Sequence, residues 1–344
     1  MTRASGRIAA ARIGIVPFEE IAVFIRRLLL TLLLLASLSS IAPASAAEDF
    51  ASWLQGLRRD ALAQGIRPAT LDRALAGIEP LQRVIELDRE QPETTVTYGD
   101  YLSRVVSSER REAAREKLRQ NRAVLAEIGR RYGVQPRFIV ALWGIETSFG
   151  QVTGKFPVIA ALATLAYDGR RSSFFRQELI DALRIIDRDN VDPKDMLGSW
   201  AGAMGQSQFM PSSYLLYAVS FSGDGRRDIW HRREDVFASI ANYLAQSGWR
   251  GDETWGREVR LPAGFAPALL GTGVKKSLAQ WSRLGVRRAD GGPLPRGTLE
   301  ASILRPGGDQ GPSVLVYGNY RVLLKWNSSN YFASAVGLLA DSME

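Results

Sequence analysis

The 344-residue chain has no cysteine and a single histidine, His231. The first absence excludes disulfides, thiolate metal sites, a cysteine nucleophile and any lipid joined through a thioether. The second excludes a multi-histidine metal centre. His231 stands beside Arg232 and Arg233 and reads as a surface side chain. No Gly-x-Ser-x-Gly occurs to supply the nucleophile elbow that a serine hydrolase would need near it. No dense apolar run approaches the ~20 residues of a membrane-spanning helix. No internal repeat or low-complexity block occurs after residue 46. With 46% apolar residues, the chain is long enough for a sizeable core in one or two domains.

Near the N-terminus, Arg26 and Arg27 precede an apolar run from Leu28 to Leu38, followed by Ile41-Ala-Pro-Ala-Ser-Ala-Ala47. A basic flank, a short apolar stretch and a small-residue site make a secretory signal peptide over residues 1–46. The mature chain then begins near Ala47 or Glu48. A membrane anchor is the competing reading, but the run is only 11 residues long and leads into Pro43 and an Ala44-x-Ala46 pattern. The residues ahead of Arg26 are long for a basic region, which leaves the start codon open. Residues 1–46 hold five arginines and two glutamates, so the remainder carries +5 of the total +8. That excess suits an anionic polymer. No basic cluster interleaved with aromatics marks a nucleic-acid site.

Beyond the leader the periodicity is helical. Phe50, Trp53, Leu54 and Leu57 recur at three- and four-residue steps, and Pro68 with Leu71, Leu75 and Ile78 starts a second helix. A connector over 92–99 leads into a charged helical stretch, 100–132. Pro136 suits the first turn of a helix over 136–149, and Gly150 suits its stop. Helices are predicted over 158–166, 172–188, 234–246 and 331–339, with a loop over 198–213. From 250 to 312 Gly, Pro and Arg become dense. Ser313-Val-Leu-Val-Tyr then continues as Gly-Asn-Tyr-Arg-Val-Leu-Leu-Lys-Trp326, which reads as two strands joined at Gly318-Asn319. The expectation is a mainly α (α+β) fold. Its helical body spans 47–249 and 327–344, with a small β-containing subdomain over 250–326.

Two segments carry chemistry. Gly144-Ile-Glu-Thr-Ser-Phe-Gly150 places Glu146 in the last turn of an apolar helix. There the helix dipole disfavours a carboxylate, and Trp143, Ile145 and Phe149 desolvate it, so its pKa should rise as a general acid requires. Alone, this also describes an ordinary helix-end glutamate. The second segment, Gly198-Ser-Trp-Ala-Gly-Ala-Met-Gly-Gln-Ser-Gln-Phe-Met-Pro-Ser-Ser-Tyr214, has too many glycines for a plain helix and too many apolar residues for a free loop. Glycines let backbone amides approach a ligand. Ser199 and Gln208 suit hydroxyl and acetamido groups, while Met204 and Phe209 offer apolar faces to sugar rings. An acid followed by such a loop describes a sugar-cleaving groove.

With these motifs, Phe221-Ser-Gly-Asp-Gly225, Ala241-Asn-Tyr243, Gly248-Trp249 and Asn327-Ser-Ser-Asn-Tyr331 are collinear. The chain thereby resembles the membrane-bound lytic transglycosylase B group of murein-cleaving enzymes, glycoside hydrolase family 103. The resemblance implies a lysozyme-like core, and with the signal segment and the lack of cysteine the expectation is a periplasmic, unlipidated enzyme, monomeric and without a cofactor. Its partners would be peptidoglycan glycan strands and other cell-wall enzymes, not nucleic acid. It implies Glu146 as sole catalytic acid and base, yielding 1,6-anhydromuramic ends. It also places Ser199, Gln208, Tyr243, Asn327 and Tyr331 in the glycan groove, with Tyr101, Arg170 and Arg171 as outer contacts. Tyr243 also suits a core position, Asn327 the end of the expected strand, and the arginine pair a solvated loop. The family tends to carry a cation loop after Tyr214, where this chain reads Ser220-x-Ser222-x-Asp224 and lacks the first carboxylate. The expectation is therefore no metal, with the loop closed by its own hydrogen bonds. A murein hydrolase and a non-catalytic peptidoglycan-binding protein remain as alternatives.

Overall fold

A computed structural model describes residues 49–90 and 96–344. The expected signal segment and its cleavage site lie outside the described residues, as does the first half of the 92–99 connector. The helices in order are α1 (Phe50–Ala63), α2 (Pro68–Ala74), α3 (Gln82–Glu90), α4 (Tyr98–Val105), α5 (Ser108–Gln120), α6 (Arg122–Tyr132) and α7 (Pro136–Thr147). They continue as α8 (Val158–Tyr167), α9 (Ser172–Asp189), α10 (Pro211–Tyr217), α11 (Arg233–Gln246), α12 (Leu278–Arg283), α13 (Gly318–Trp326) and α14 (Asn330–Asp341). The charged stretch expected over 100–132 divides into three helices. Thr97 and Ser107 cap the first two through their side-chain oxygens, and Gly133 closes the third in a left-handed conformation.

Residues Trp53–Glu344 form one unit. Its centre is α7 and α8. Every residue of α8 from Val158 to Ala166 is buried, and α7 buries Phe138 through Gly144. A helix apolar on all faces is stable only when others surround it. Here α9 covers α8, while α14 and α11 pack on α7. Short strands β1 (Phe156–Pro157) and β2 (Leu197–Gly198) pair antiparallel and tie the segment after α7 to the Gly-rich loop.

The β region is an antiparallel five-stranded sheet in the order β4 (Lys276–Ser277), β6 (Glu300–Leu304), β7 (Ser313–Val316), β3 (Gly256–Arg260), β5 (Arg287–Arg288). Trp281, Val286, Ile303, Leu315 and Tyr317 form its own buried apolar cluster.

One expected element changes type. The first predicted strand is β7, but the second is helix α13. Asn319 is not at a hairpin turn. It is fully buried, donates to the carbonyls of Arg250 and Glu253 at 2.8 Å each, and accepts from the Arg250 amide. Tyr320 and Leu323, three apart, then face the core as helical neighbours. The other expected helices are present with ends shifted by a residue or two, except α2, which stops at Ala74, short of the expected Ile78.

Candidate active site

Helix α7 stops at Thr147, two residues before the expected end. Ser148, Phe149 and Gly150 take φ of 49°, 61° and 82°, and the Phe149 amide reaches back to the Trp143 carbonyl at 3.2 Å. This bond from residue i to i−6 closes a helix end that turns through successive left-handed residues and satisfies one of its free carbonyls. A bulky residue at positive φ costs about 1–3 kcal/mol and persists only where its surroundings force it. The forcing contact is packing. The Phe149 ring lies edge-on to Trp143 and directly over Gly144, where a Cβ would meet it at 2.5 Å. Glu146 is thus held one turn from a strained but tightly packed corner.

The Glu146 carboxyl is half-buried, and its Oε1 accepts from the indole N–H of Trp326 at 2.7 Å. Burial drives its pKa up from 4.5 to about 7, against the opposing pull of the Trp326 N–H. Trp326 also packs on Tyr243, with ring centroids 4.7 Å apart, and on Phe209 at 5.3 Å. The Tyr243 hydroxyl donates to the Lys325 carbonyl at 2.7 Å, and burial, then nearby Tyr217, push its pKa up to about 12. Glu146, Trp326 and Tyr243 therefore form one connected wall, with Phe209 packed behind it.

The Gly-rich loop folds back on itself through antiparallel bridges between Gly198 and Met204 and between Met204 and Phe209. This corrects one expectation. Met204 is wholly enclosed and Phe209 is 2% exposed, so both support the wall from beneath instead of offering faces to a sugar. Ser199 accepts from the Ala203 amide at 3.1 Å. Gln208, at φ 49°, spends its amide N–H groups on the carbonyls of Thr153 and Gly205. Its Oε1 has no protein partner among the described residues. Gly154 sits so close to this loop that a Cβ would lie 2.0 Å from the Gly198 carbonyl oxygen.

Two residues of this site escaped the sequence reading. Trp326 lay at the end of a supposed strand. Gln206 joins three segments: its Oε1 accepts from Trp143 Nε1 at 2.9 Å, its Nε2 donates to the Trp230 carbonyl, and its own carbonyl accepts from Thr147 Oγ1. A buried Gln with all its groups engaged locks α7 to the loop.

The remaining candidates divide into two groups. Tyr101 and Tyr331 pack together at 5.6 Å, with Tyr98 against Tyr331 at 5.1 Å. Asn327, exposed and next to Trp326, accepts from the Ser329 amide. Arg170 and Arg171 instead pair with buried Asp88 of α3 at 2.9 and 2.6 Å, and no contact among the described residues joins them to Glu146. In the degenerate cation loop, Asp224 accepts from Ser220 Oγ at 2.8 Å and from the Arg232 guanidinium at 2.6 Å, which holds its carboxyl far below the usual range. Ser222 lies 3.3 Å from Ser220. No group of three or more His, Asp or Glu side chains suited to a metal occurs among the described residues.

A lone acid poised near neutrality, at a helix end facing a Gly-rich loop and an aromatic wall, is equipped for acid–base cleavage of a sugar polymer. The chain belongs to the transglycosylase SLT domain family, whose pattern matches residues 49–341. It is 38% identical to the membrane-bound lytic murein transglycosylase B of Escherichia coli (strain K12) over 221 residues. That segment is 62% of this chain and 58% of the relative, less than two thirds of the relative's length. Among solved structures, SltB3 from Pseudomonas aeruginosa, in complex with NAG-anhNAM-pentapeptide or NAG-NAM-pentapeptide, is 46% identical with a TM-score of 0.83. The match covers 86% of this chain and 80% of that one. The Escherichia coli lytic transglycosylase Slt35 in complex with calcium is 30% identical with a TM-score of 0.73, covering 84% of this chain and 92% of that one. The expected family and the lysozyme-like, mainly helical fold both hold.

Proposed function

We propose that the chain is a lytic murein transglycosylase cleaving the β-1,4 bond between N-acetylmuramic acid and N-acetylglucosamine. The observation that carries this reading is Glu146 held in the last turn of α7 with its Oε1 on the Trp326 indole N–H, where burial pushes its pKa up to about 7. A group titrating close to ambient pH gives and takes a proton equally readily, so one residue serves both steps. Glu146 first protonates the glycosidic oxygen. The substrate's acetamido oxygen stabilises the anomeric carbon, and Glu146 then removes the proton from the C6 hydroxyl as that oxygen attacks the anomeric carbon. Well-aligned intramolecular nucleophiles reach effective molarities of ~10⁵ M or more, which favours ring closure over water. Burial and Trp326 account for the Glu146 shift with no second carboxylate contributing, which supports a single-acid mechanism over the paired carboxylates of most glycosidases.

Ser199, Gln208, Tyr243, Asn327 and Tyr331 line the glycan groove in this reading, and Tyr101 extends it. Arg170 and Arg171, anchored by Asp88, meet sugar or peptide further out. Residues 250–326 form a subdomain appended to the helical body. The chain is exported, works as a periplasmic monomer without a cofactor, and meets other cell-wall enzymes there; no helix among the described residues is long and apolar enough to cross a membrane. The test is Glu146→Gln on purified sacculi. Cleavage should fall at least ~100-fold with folding and glycan binding retained, whereas near-normal turnover would remove Glu146 as the acid.

A further inference from the structure

Helix α13 borders two spaces. Its last residue, Trp326, meets Glu146, and its Lys325 carbonyl holds Tyr243. Gly318, Arg321, Val322 and Lys325, one helical face by their spacing, instead line a separate cavity of about 640 Å³. Its other walls are the residues after α11 and the sheet edge at Lys275 and Glu300.

The charges around this cavity do not balance. Arg250 pairs with Glu253 at 2.9 Å. Lys275, Arg321 and Lys325 have no carboxylate within ion-pair distance among the described residues. Arg321 is instead held by neutral acceptors, the carbonyls of Tyr317 and Thr272 and the Ser302 hydroxyl at 2.6 Å, and burial lowers its pKa. Lys325 donates to the Ser247 carbonyl at 2.8 Å. Two of the three cations are thus fixed in position by uncharged groups, with Glu300 acting on Arg321 only from beyond ion-pair distance. The wall as a whole sets four cations, Arg250, Lys275, Arg321 and Lys325, against two acids, Glu253 and Glu300. Such an arrangement gains most from an anion brought in from outside. Glu300 is the only acid on the wall without an ion pair.

We propose that this cavity is a subsite for the carboxylates of the stem peptide borne by the glycan in the groove, an inference that rests on the proposed function. The distances are compatible. A helix with its side chains is roughly 10–12 Å across, and a five-residue peptide spans about 17 Å when extended. A peptide leaving the muramic ring beside Glu146 therefore reaches around α13 to Lys275 and Arg321. Its occupancy also braces the helix that presents Trp326 to the acid.

The test compares KM and kcat on glycan chains carrying stem peptides with those on the same chains stripped of peptide. Lys275→Glu changes an exposed side chain outside the groove. It should raise KM on peptide-bearing chains on the order of fivefold and leave turnover of stripped chains unchanged. Glu300→Gln removes the opposing charge and should lower KM on peptide-bearing chains about twofold. In direct titration, a synthetic stem pentapeptide should bind the wild type more tightly than its fully amidated form. Equal effects of either variant on both substrates, or equal binding of the two peptides, would overturn the subsite while leaving the enzymatic reading intact. Wild-type protein that cuts neither substrate would instead remove the function on which the subsite rests.

Discussion

Replacing Glu146 with glutamine should abolish cleavage and yet stabilise the protein at neutral pH. The carboxyl titrates near 4.5 when unfolded and near 7 when folded. A carboxyl with a raised native pKa keeps its proton longer in the folded state, so stability falls as pH rises from 4.5 towards 7. The slope across that window is about 1.4 kcal/mol per pH unit, and solvent screening of a half-buried group makes about 3 kcal/mol the ceiling. Glutamine does not ionise and escapes this loss. Between about pH 5 and pH 8 the stability gap between Glu146→Gln and wild type should widen by about 2.5 kcal/mol in favour of the variant. Urea unfolding of both proteins at the two pH values measures it. A gap that stays constant, or that shrinks towards alkaline pH, would refute the desolvated acid.

Three further outcomes are expected. Trp326→Phe removes the one N–H that favours ionised Glu146, a bond to a charged group worth about 1.5–3 kcal/mol, so the alkaline limb of the kcat/KM profile should move up by about one pH unit; an unshifted limb would show that the indole does not tune the acid. Gly154→Ala adds a Cβ 2.0 Å from the Gly198 carbonyl oxygen at φ 91° and should cost about 3 kcal/mol or more in thermal or urea unfolding, together with groove activity. Millimolar calcium should leave the melting temperature unchanged, because Arg232 and Ser220 already occupy the Asp224 oxygens; micromolar affinity by calorimetry would contradict that.

Local features of the chain were legible in the sequence where they followed from local chemistry. Pro68 and Pro136 open helices, as their backbone preference requires. Glu146 was identifiable because the same apolar neighbours that build α7 also desolvate it. Contacts between distant segments were not legible. Trp326 and Glu146 are 180 residues apart, and no periodicity relates them. The strand reading of 318–326 followed Val322 and a Gly-Asn pair. It missed that buried Asn319 could satisfy the backbone of residues 250 and 253, which removes any need for a turn. Met204 and Phe209 were misread because a Gly-rich stretch looks open, whereas here the glycines permit close backbone approach that tucks both side chains inward.

The most direct measurement is mass spectrometry of the products released from purified sacculi, before and after borohydride reduction. Intramolecular attack predicts disaccharide-peptides ending in 1,6-anhydro-N-acetylmuramic acid. They should resist reduction and be lighter, by one water and one hydrogen molecule, than reduced hydrolytic products. Digests dominated by reducible muramic ends would contradict the account and make the chain a hydrolase, even with Glu146 essential.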